Sequence, residues 1–152
     1  MQRRNFLSLS ALAAVAVIVP TANAEDYRAT KPTVWTAHTV DDAVMAMYGT
    51  TKTIESGVTV TTPDPATNSG SVPVNIKSDI DAKSVAIFQD ANPESAVAAF
   101  TVHDNSVIDY NLNLKLRSDG TPITITAIVE GKDGKLYVGI KQLIVAIGTC
   151  DG

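Results

Sequence analysis

The stretch Ile108-Asp109-Tyr110-Asn111-Leu112-Asn113-Leu114-Lys115-Leu116 alternates apolar and polar residues without interruption. Successive side chains of a β-strand point to opposite faces, so this pattern predicts a strand with one face in a core and the other in water. Half-buried strands of this kind are typical of antiparallel sheets. The stretch therefore indicates an antiparallel β fold.

Shorter strand patterns surround this stretch and are separated by turn signals about every ten residues. They comprise Val58 to Thr62, Val72 to Ile76, Val85 to Phe88, Ala96 to Val102, Ile123 to Val129 and Leu136 to Ile147. About seven short strands at this spacing predict an all-β, immunoglobulin-like antiparallel β-sandwich. The cysteine pair of antibody domains is absent, because the chain has a single cysteine.

One short helix is predicted before the strands. Thr39 is a good N-cap, Asp42 follows three residues later as in a capping box, and Gly49 is placed to end the helix. Its apolar residues Val40, Ala43, Val44 and Met47 fall on one stripe. The preceding segment, Glu25 to His38, is expected to form an extended N-terminal arm.

The last strand changes the parity of its apolar positions, which are even-numbered from Leu136 to Ile140 and odd-numbered from Leu143 to Ile147. Because alternation has a period of two, keeping one face buried requires an extra residue near Lys141-Gln142, a β-bulge. Alternatively, the segment past this point is covered on both faces, one of them by a partner chain. That partner would then cover Ile144 and Ala146.

Residues Met1 to Ala24 have the features of an export signal. A twin-arginine pattern, Arg3-Arg4-Asn5-Phe6-Leu7, precedes the apolar run Ala11 to Val19, and Ala22-Asn23-Ala24 fits a signal-peptidase site. The apolar run is shorter than the roughly 20 residues that span a bilayer. We expect cleavage after Ala24 and a soluble periplasmic protein, with a general-secretion signal as the alternative to the twin-arginine route.

The charge balance is acidic. Arg3 and Arg4 are the only charges before Glu25, so removal of the leader lowers the formal net charge from −4 to −6. An acidic chain without a basic run predicts neither nucleic acid nor an anionic membrane as the main partner.

The C-terminal segment Gly148-Thr149-Cys150-Asp151-Gly152 contains the sole cysteine. In an exported protein a lone cysteine is a free reactive thiol or an intermolecular link. Gly148 and Gly152 leave the backbone around the thiol free to choose its dihedral angles. Five extended residues reach about 16 Å beyond the last strand. Cys150 is therefore the candidate reactive group.

Other candidate chemistry is weak. Neither His38 nor His103 has a second His or Cys at metal-ligand spacing, and Met45 and Met47 are predicted to pack in the core. The glycines of Gly131-Lys132-Asp133-Gly134 indicate a hairpin turn instead of a phosphate-binding loop. We expect no metal, no cofactor and no catalytic residue, so the chain is not expected to be an enzyme.

Together these features resemble the SoxY family, the sulfur-carrier subunits of the bacterial Sox thiosulfate-oxidation system. The resemblance covers nearly the whole chain. It includes the twin-arginine leader, the helix start Thr39-Val40-Asp41-Asp42-Ala43, the stretch Asp133-Gly134-Lys135-Leu136-Tyr137 and the terminal cysteine.

The resemblance implies an immunoglobulin-like domain that pairs with a second β-sandwich subunit, SoxZ, and carries the substrate as a covalent adduct on Cys150. It also implies three transient partners: a haem enzyme that conjugates thiosulfate, a hydrolase that releases sulfate, and a molybdenum enzyme that oxidises the remaining sulfane sulfur. The expected organisation is a signal peptide at 1–24, an arm at 25–38, the helix and sandwich at 39–147, and a flexible carrier arm at 148–152.

The tail departs from the family pattern Gly-Gly-Cys-Gly-Gly. Thr149 is β-branched and stiffens the backbone before the thiol. Asp151 places a like charge beside the thiolate, which is expected to raise the pKa of Cys150. Two other readings remain: a scaffold subunit that has lost efficient carriage, and an extracellular interaction module that forms intermolecular disulfides. The partner interface is expected on the late strands, with Ile144 as the first residue to test.

Overall fold

The structure, a computed structural model, describes residues 24–147, so the predicted leader and the Cys150 tail lie outside the described residues. Two antiparallel sheets form the body of this range. The strands are β1 Val58–Thr61, β2 Val72–Ser78, β3 Ala82–Gln89, β4 Ala96–Thr101, β5 Ile108–Leu114, β6 Pro122–Gly131 and β7 Leu136–Ile144. The helices are α1 Tyr27–Thr30, a 3₁₀ helix Pro32–Thr36, and α2 Val40–Tyr48. None of them is long and apolar enough to cross a bilayer.

The strand order is β1-β2-β5 in one sheet and β4-β3-β6-β7 in the other. The chain crosses between the sheets after β2, β4 and β5, as in immunoglobulin-like sandwiches. This arrangement confirms the predicted fold class. In the alternating stretch that led to the prediction, Ile108 and Leu114 are buried, whereas Asp109, Asn111 and Asn113 are exposed.

The four-stranded sheet is buried on both faces. An inner core fills the space between the two sheets and includes Val72, Ile76, Ile87, Ile125 and Leu143. An outer core lies between the four-stranded sheet and the helical segments and includes Val34, Val44, Met47, Phe88 and Ile128. The helical segments therefore add a third layer over part of the sandwich.

Helix α2 begins and ends as its sequence predicted. The Thr39 hydroxyl accepts a hydrogen bond from the Asp42 amide at 3.1 Å. Gly49 has φ 73°, a left-handed conformation that glycine adopts at low cost, and its amide donates to the Met45 carbonyl at 2.8 Å. Met47 is buried in the outer core as predicted, but the prediction that Met45 packs in the core is wrong, because Met45 is 49% exposed.

The prediction of an extended arm from Glu25 to His38 is wrong. The Asp26 carboxylate accepts from the Arg28 and Ala29 amides at the start of α1, and the 3₁₀ helix begins at Pro32. Tyr27 is buried in the outer core. The segment folds because its apolar side chains pack against the outer core. The residues of that core come from distant parts of the chain.

The predicted β-bulge near Lys141-Gln142 is also wrong, since the β6–β7 register runs unbroken from Leu136 to Ile144. The even-numbered residues of β7 face outward, and Leu136 and Val138 belong to the outer core. Odd-numbered Leu143 belongs to the inner core. The parity changes because α2 covers only the first half of the outward face of β7. In that half, the residues on both faces of the strand are buried, and the outward face is covered by this chain's own helix.

Gly139 allows β1 to pass close to β7. A Cβ at Gly139 would lie 2.6 Å from the Val58 carbonyl oxygen and 2.9 Å from Val58 Cγ1. Such distances do not occur between real atoms, so only glycine fits this position without displacing the β1 backbone.

Gly139→Ala is expected to lower the free energy of unfolding by about 2 kcal/mol, because the added methyl group overpacks a site bounded by backbone atoms. Urea denaturation of the variant measures the loss. Gly70→Ala is a matched control, since the nearest atom to its added methyl is the Asn68 Oδ1 at 3.3 Å. Equal stability of the two variants would contradict the close approach.

Candidate functional site

The predicted site residues Gly148, Thr149, Cys150, Asp151 and Gly152 lie outside the described residues. The structure does describe the segment from which they continue, Leu143–Ile147, which we call the arm base. The contacts of the arm base with the fold determine where the described part of the chain ends.

Strand β6 supports the arm base only at its start. The β6–β7 pairing ends with Pro122 opposite Ile144, and Pro122 is the first residue of β6. A proline is tolerated at the first position of a strand because its missing N–H is not needed there. Past Ile144, support must come from another part of the chain.

The loop at residues 64–66 supplies that support. The Ile144 amide donates to Asp64 Oδ1 at 3.1 Å, and the Ile144 carbonyl accepts from the Ala66 amide at 2.9 Å. The Ala146 amide then donates to the Ala66 carbonyl at 2.8 Å. The two backbone bonds of Ala66 form an isolated parallel bridge between Ala66 and Val145. The loop thus takes the place of a neighbouring strand along the arm base.

Side-chain burial also fixes the arm base. Leu143 and Val145 are each 1% exposed and pack in the inner core with Ala66. Ile147 is 65% exposed, and its Cδ1 lies 3.4 Å from where a Cβ would sit on Gly120. The described chain is therefore anchored in the core up to Val145, and Ile147 reaches the surface.

Sequence reasoning missed Asp64 and Ala66 as parts of this site. Pro63 and Pro65 indicated only that the region is a loop. No local pattern relates a loop carboxylate to an amide 80 positions away.

The outward face of the four-stranded sheet is uncovered next to the arm base. Ile140 is 52% exposed and Ile144 is 42% exposed, and both lie on the outward face of β7. Pro122, opposite Ile144 on β6, is exposed as well. We call Ile140, Ile144 and Pro122 the outer patch.

A groove with a volume of about 470 Å³ runs between the outer patch and the first turn of α2. Ile140, Val138 and Val40 form part of its apolar wall, and Asp41 and Asp90 give it negative charge. Ile144, the residue named in the partner prediction, belongs to this exposed apolar surface.

The stretch Asp133 to Tyr137, which carried part of the family resemblance, closes the β6–β7 hairpin. The Tyr137 hydroxyl donates to Asp133 Oδ2 at 2.6 Å, and the Lys135 amide donates to Asp133 Oδ1 at 3.0 Å. The first of these hydrogen bonds is the main cause that holds the pKa of Asp133 below its ordinary value. The Asp133 side chain thus stabilises the β6–β7 turn, which lies at the opposite end of β7 from the arm base.

A polar network joins α2 to the sheet. The Tyr48 and Ser84 hydroxyl oxygens are 3.5 Å apart, and Ser84 Oγ donates to Glu130 Oε2 at 2.9 Å. Burial raises the pKa of Tyr48 above its ordinary value, so its hydroxyl keeps its proton. Ser84 is almost fully buried, and a substrate could not reach its hydroxyl group. The network stabilises the contact between helix and sheet.

The histidines lie apart in the described structure. The His38 Nδ1 is 2.9 Å from the Pro93 carbonyl oxygen, and His103 is exposed in the loop after β4. Within residues 24–147, no group of three or more His, Cys, Asp and Glu side chains is arranged to hold a metal ion.

Comparison with protein families identifies residues 44–150 as matching the model of "Sulfur oxidation protein SoxY". Among solved structures, the sulfur carrier protein SoxY from Chlorobium limicola f thiosulfatophilum is similar, with 28% sequence identity and a TM-score of 0.63. The match covers 71% of this chain and 96% of that one. No curated protein sequence matches.

A superoxide reductase (neelaredoxin) from Ignicoccus hospitalis shares the fold, with 13% identity and a TM-score of 0.51. The match covers 59% of this chain and 80% of the reductase. A variant of the same reductase is similar at 12% identity and a TM-score of 0.51, over 71% of this chain and 89% of that one. At such low identity these two likenesses concern the sandwich alone.

Side chains of the arm base alternate between the inner core and the outward face, so substitutions at adjacent residues should differ strongly in their effect on stability. Leu143→Asp should lower the free energy of unfolding by about 4 kcal/mol or more, because it places an unpaired charge in the inner core. Ile144→Asp should cost about 1 kcal/mol or less, since its side chain faces solvent. Urea denaturation compares the two, and Gln142→Asp, also on the outward face, is the control. Equal losses at 143 and 144 would contradict the alternation.

Proposed function

Because the chain belongs to the SoxY family of sulfur oxidation proteins, we propose that it carries intermediates of thiosulfate oxidation on the sulfur atom of Cys150. The observation that supports this proposal most is the extent of the family match, which runs to residue 150 and so includes the sole cysteine. The Chlorobium relative is itself a sulfur carrier protein. The role assigned to the folded domain is to hold the arm base in a fixed position.

The proposed chemistry is supplied by partner enzymes. In the conjugation step a bond forms between the Cys150 sulfur and the outer sulfur of thiosulfate, and the two electrons released pass to the haem-containing conjugating enzyme. In the next step water attacks the terminal sulfonate sulfur, which leaves as sulfate with release of two protons. A persulfide then remains on Cys150, and a molybdenum enzyme oxidises it. The carrier contributes an accessible thiolate and no catalytic group.

The anchoring of the arm base supports this assignment. The core and the loop at residues 64–66 hold the chain up to Ala146, only four positions before Cys150. Four extended residues span about 14 Å at most. A thiol on such a segment would enter a partner's channel while the domain stays outside.

We assign the outer patch to a SoxZ-like β-sandwich subunit. Ile140 and Ile144 are exposed aliphatic side chains on one face, next to the arm base, and burial of such residues is the main favourable term in association. An obligate partner at this surface would complete the cover that α2 gives to the first half of β7.

Export belongs to the same proposal. The twin-arginine pattern at Arg3-Arg4 and the small residues Ala22 and Ala24 favour transport to the periplasm and cleavage after Ala24. The twin-arginine route carries folded proteins, so this chain would travel with its partner already bound.

A scaffold role is the second candidate, and one feature favours it. Thr149 and Asp151 stand where the family pattern has glycine, which makes the tail stiffer and more acidic. A subunit with such a tail would keep the fold and the partner while carrying sulfur poorly. The presence or absence of adducts on Cys150 separates the two roles.

Cys150→Ser is expected to abolish sulfur adducts. The wild-type protein from cells oxidising thiosulfate should show adduct masses that disappear on treatment with a thiol reductant, and the variant should show none. Mass spectrometry of the intact protein makes the measurement. An adduct on the variant would refute Cys150 as the attachment site, whereas a wild-type protein without adducts would favour the scaffold role.

Ile144→Asp is expected to weaken the heterodimer at least tenfold, about 1.4 kcal/mol, because it places a charge in an apolar interface. Titration calorimetry with the partner subunit measures the dissociation constant. Thr59→Asp, at an exposed position on the other sheet, should leave it unchanged. Unchanged affinity of the Ile144 variant would place the interface elsewhere.

A further inference from the structure

We propose that Asp64 is a positioning residue for the arm, and that its carboxylate fixes the point from which the Cys150 tail leaves the fold. This inference rests on the proposed carrier function, which gives the position of the arm its meaning. The contact itself lies wholly within the described residues.

Asp64 holds the position at which support from β6 ends. Ile144 stands opposite Pro122, the first residue of β6, but its backbone amide and carbonyl face the other edge of β7. Both of these groups bond to the loop at residues 64–66. Of these two bonds, the one from the amide goes to a side chain, the Asp64 carboxylate at 3.1 Å. This part of the anchor can therefore be removed by substitution without altering the backbone.

The remaining backbone hydrogen bonds of the arm base depend on one residue of the loop, Ala66. Ala66 accepts from the Ala146 amide and donates to the Ile144 carbonyl. Ala66 is buried, but Asp64 and Pro65 on its N-terminal side are exposed. The Asp64 bond ties this exposed end of the loop to β7, so it keeps Ala66 in register with the arm base.

The contact sets how much chain lies between the anchor and the thiol. With the loop bound, the last anchored residue is Ala146 and the thiol follows four positions later. With the loop released, the last anchored residue is Val145, whose side chain packs in the inner core, and the thiol follows five positions later. The spread of a segment without fixed structure grows as the square root of its length, so release would widen the spread at Cys150 by about a tenth.

Hydrogen exchange tests the contact. Asp64→Ala should speed exchange of the Ile144 and Ala146 amides roughly tenfold, as expected for the loss of a hydrogen bond that guards local opening. Asp64→Asn, which keeps an acceptor oxygen at the same place, should restore most of the protection. Unchanged exchange of both amides in Asp64→Ala would overturn the inference.

Asp90→Ala is the matched control. The Asp90 carboxylate also accepts a strand amide, that of Thr124 on β6, at 2.7 Å. This variant should speed exchange at Thr124 and leave Ile144 and Ala146 unchanged.

Distance measurement tests the positioning role. A nitroxide on the native Cys150 and a second on Lys77→Cys, an exposed position on β2, report the spread of the arm by pulsed electron resonance. Asp64→Ala should broaden the distance distribution by about a tenth, with Asp64→Asn and Asp90→Ala close to wild type. An unchanged distribution would show that the contact is structural only and would overturn the positioning role.

The two readouts do not require bound sulfur. A wild-type protein without sulfur adducts would count against the proposed function and leave the result at Asp64 standing. Conversely, a wild-type protein that carries adducts, combined with unchanged exchange and spread in Asp64→Ala, would refute the positioning role alone.

Discussion

Burial of the four-stranded sheet on both faces is the constraint on which the rest of the structure depends. The three-stranded sheet covers its inner face, and α2 with the 3₁₀ helix covers part of its outer face. A strand covered on both sides is apolar at odd and even positions alike, which is what β7 shows up to Val138. Beyond the first turn of α2 the outer face of β7 is uncovered, and this uncovered surface is the outer patch. The helix therefore determines which surface is available to a partner.

The edge of β7 that faces away from β6 is bonded at both of its ends. One edge pairs with β6, and the other meets Ile54 at its start, β1 along its middle and Ala66 at its end. An unpaired strand edge invites contact with other chains. The contacts at both ends of this edge tie the first and last residues of β7 to other parts of the chain.

Features that depend on neighbouring residues could be predicted from the sequence, and those that depend on distant contacts could not. The caps of α2 at Thr39 and Gly49 are local, and the alternation from Ile108 onward needs only the period of a strand. The bulge prediction failed because an apolar pattern does not reveal which element covers a face. The extended-arm prediction failed for the same reason, since the contacts of Tyr27 lie elsewhere in the chain. Cys150 could be proposed from the sequence as the sole cysteine, whereas the hydrogen bond between Asp64 and the arm base could not.

The span of the Asp64–Ile144 contact has a consequence for biosynthesis. The two residues lie 80 positions apart, and β7 is the last of the described strands to leave the ribosome. Asp64 is synthesised well before Ile144, so the hydrogen bond between them cannot form until β7 has been made. Contacts of such long range form late in folding. Completion of the sandwich and anchoring of the arm base are therefore one late event. A nascent chain cannot hold residues 143–147 in their native position before β7 has docked.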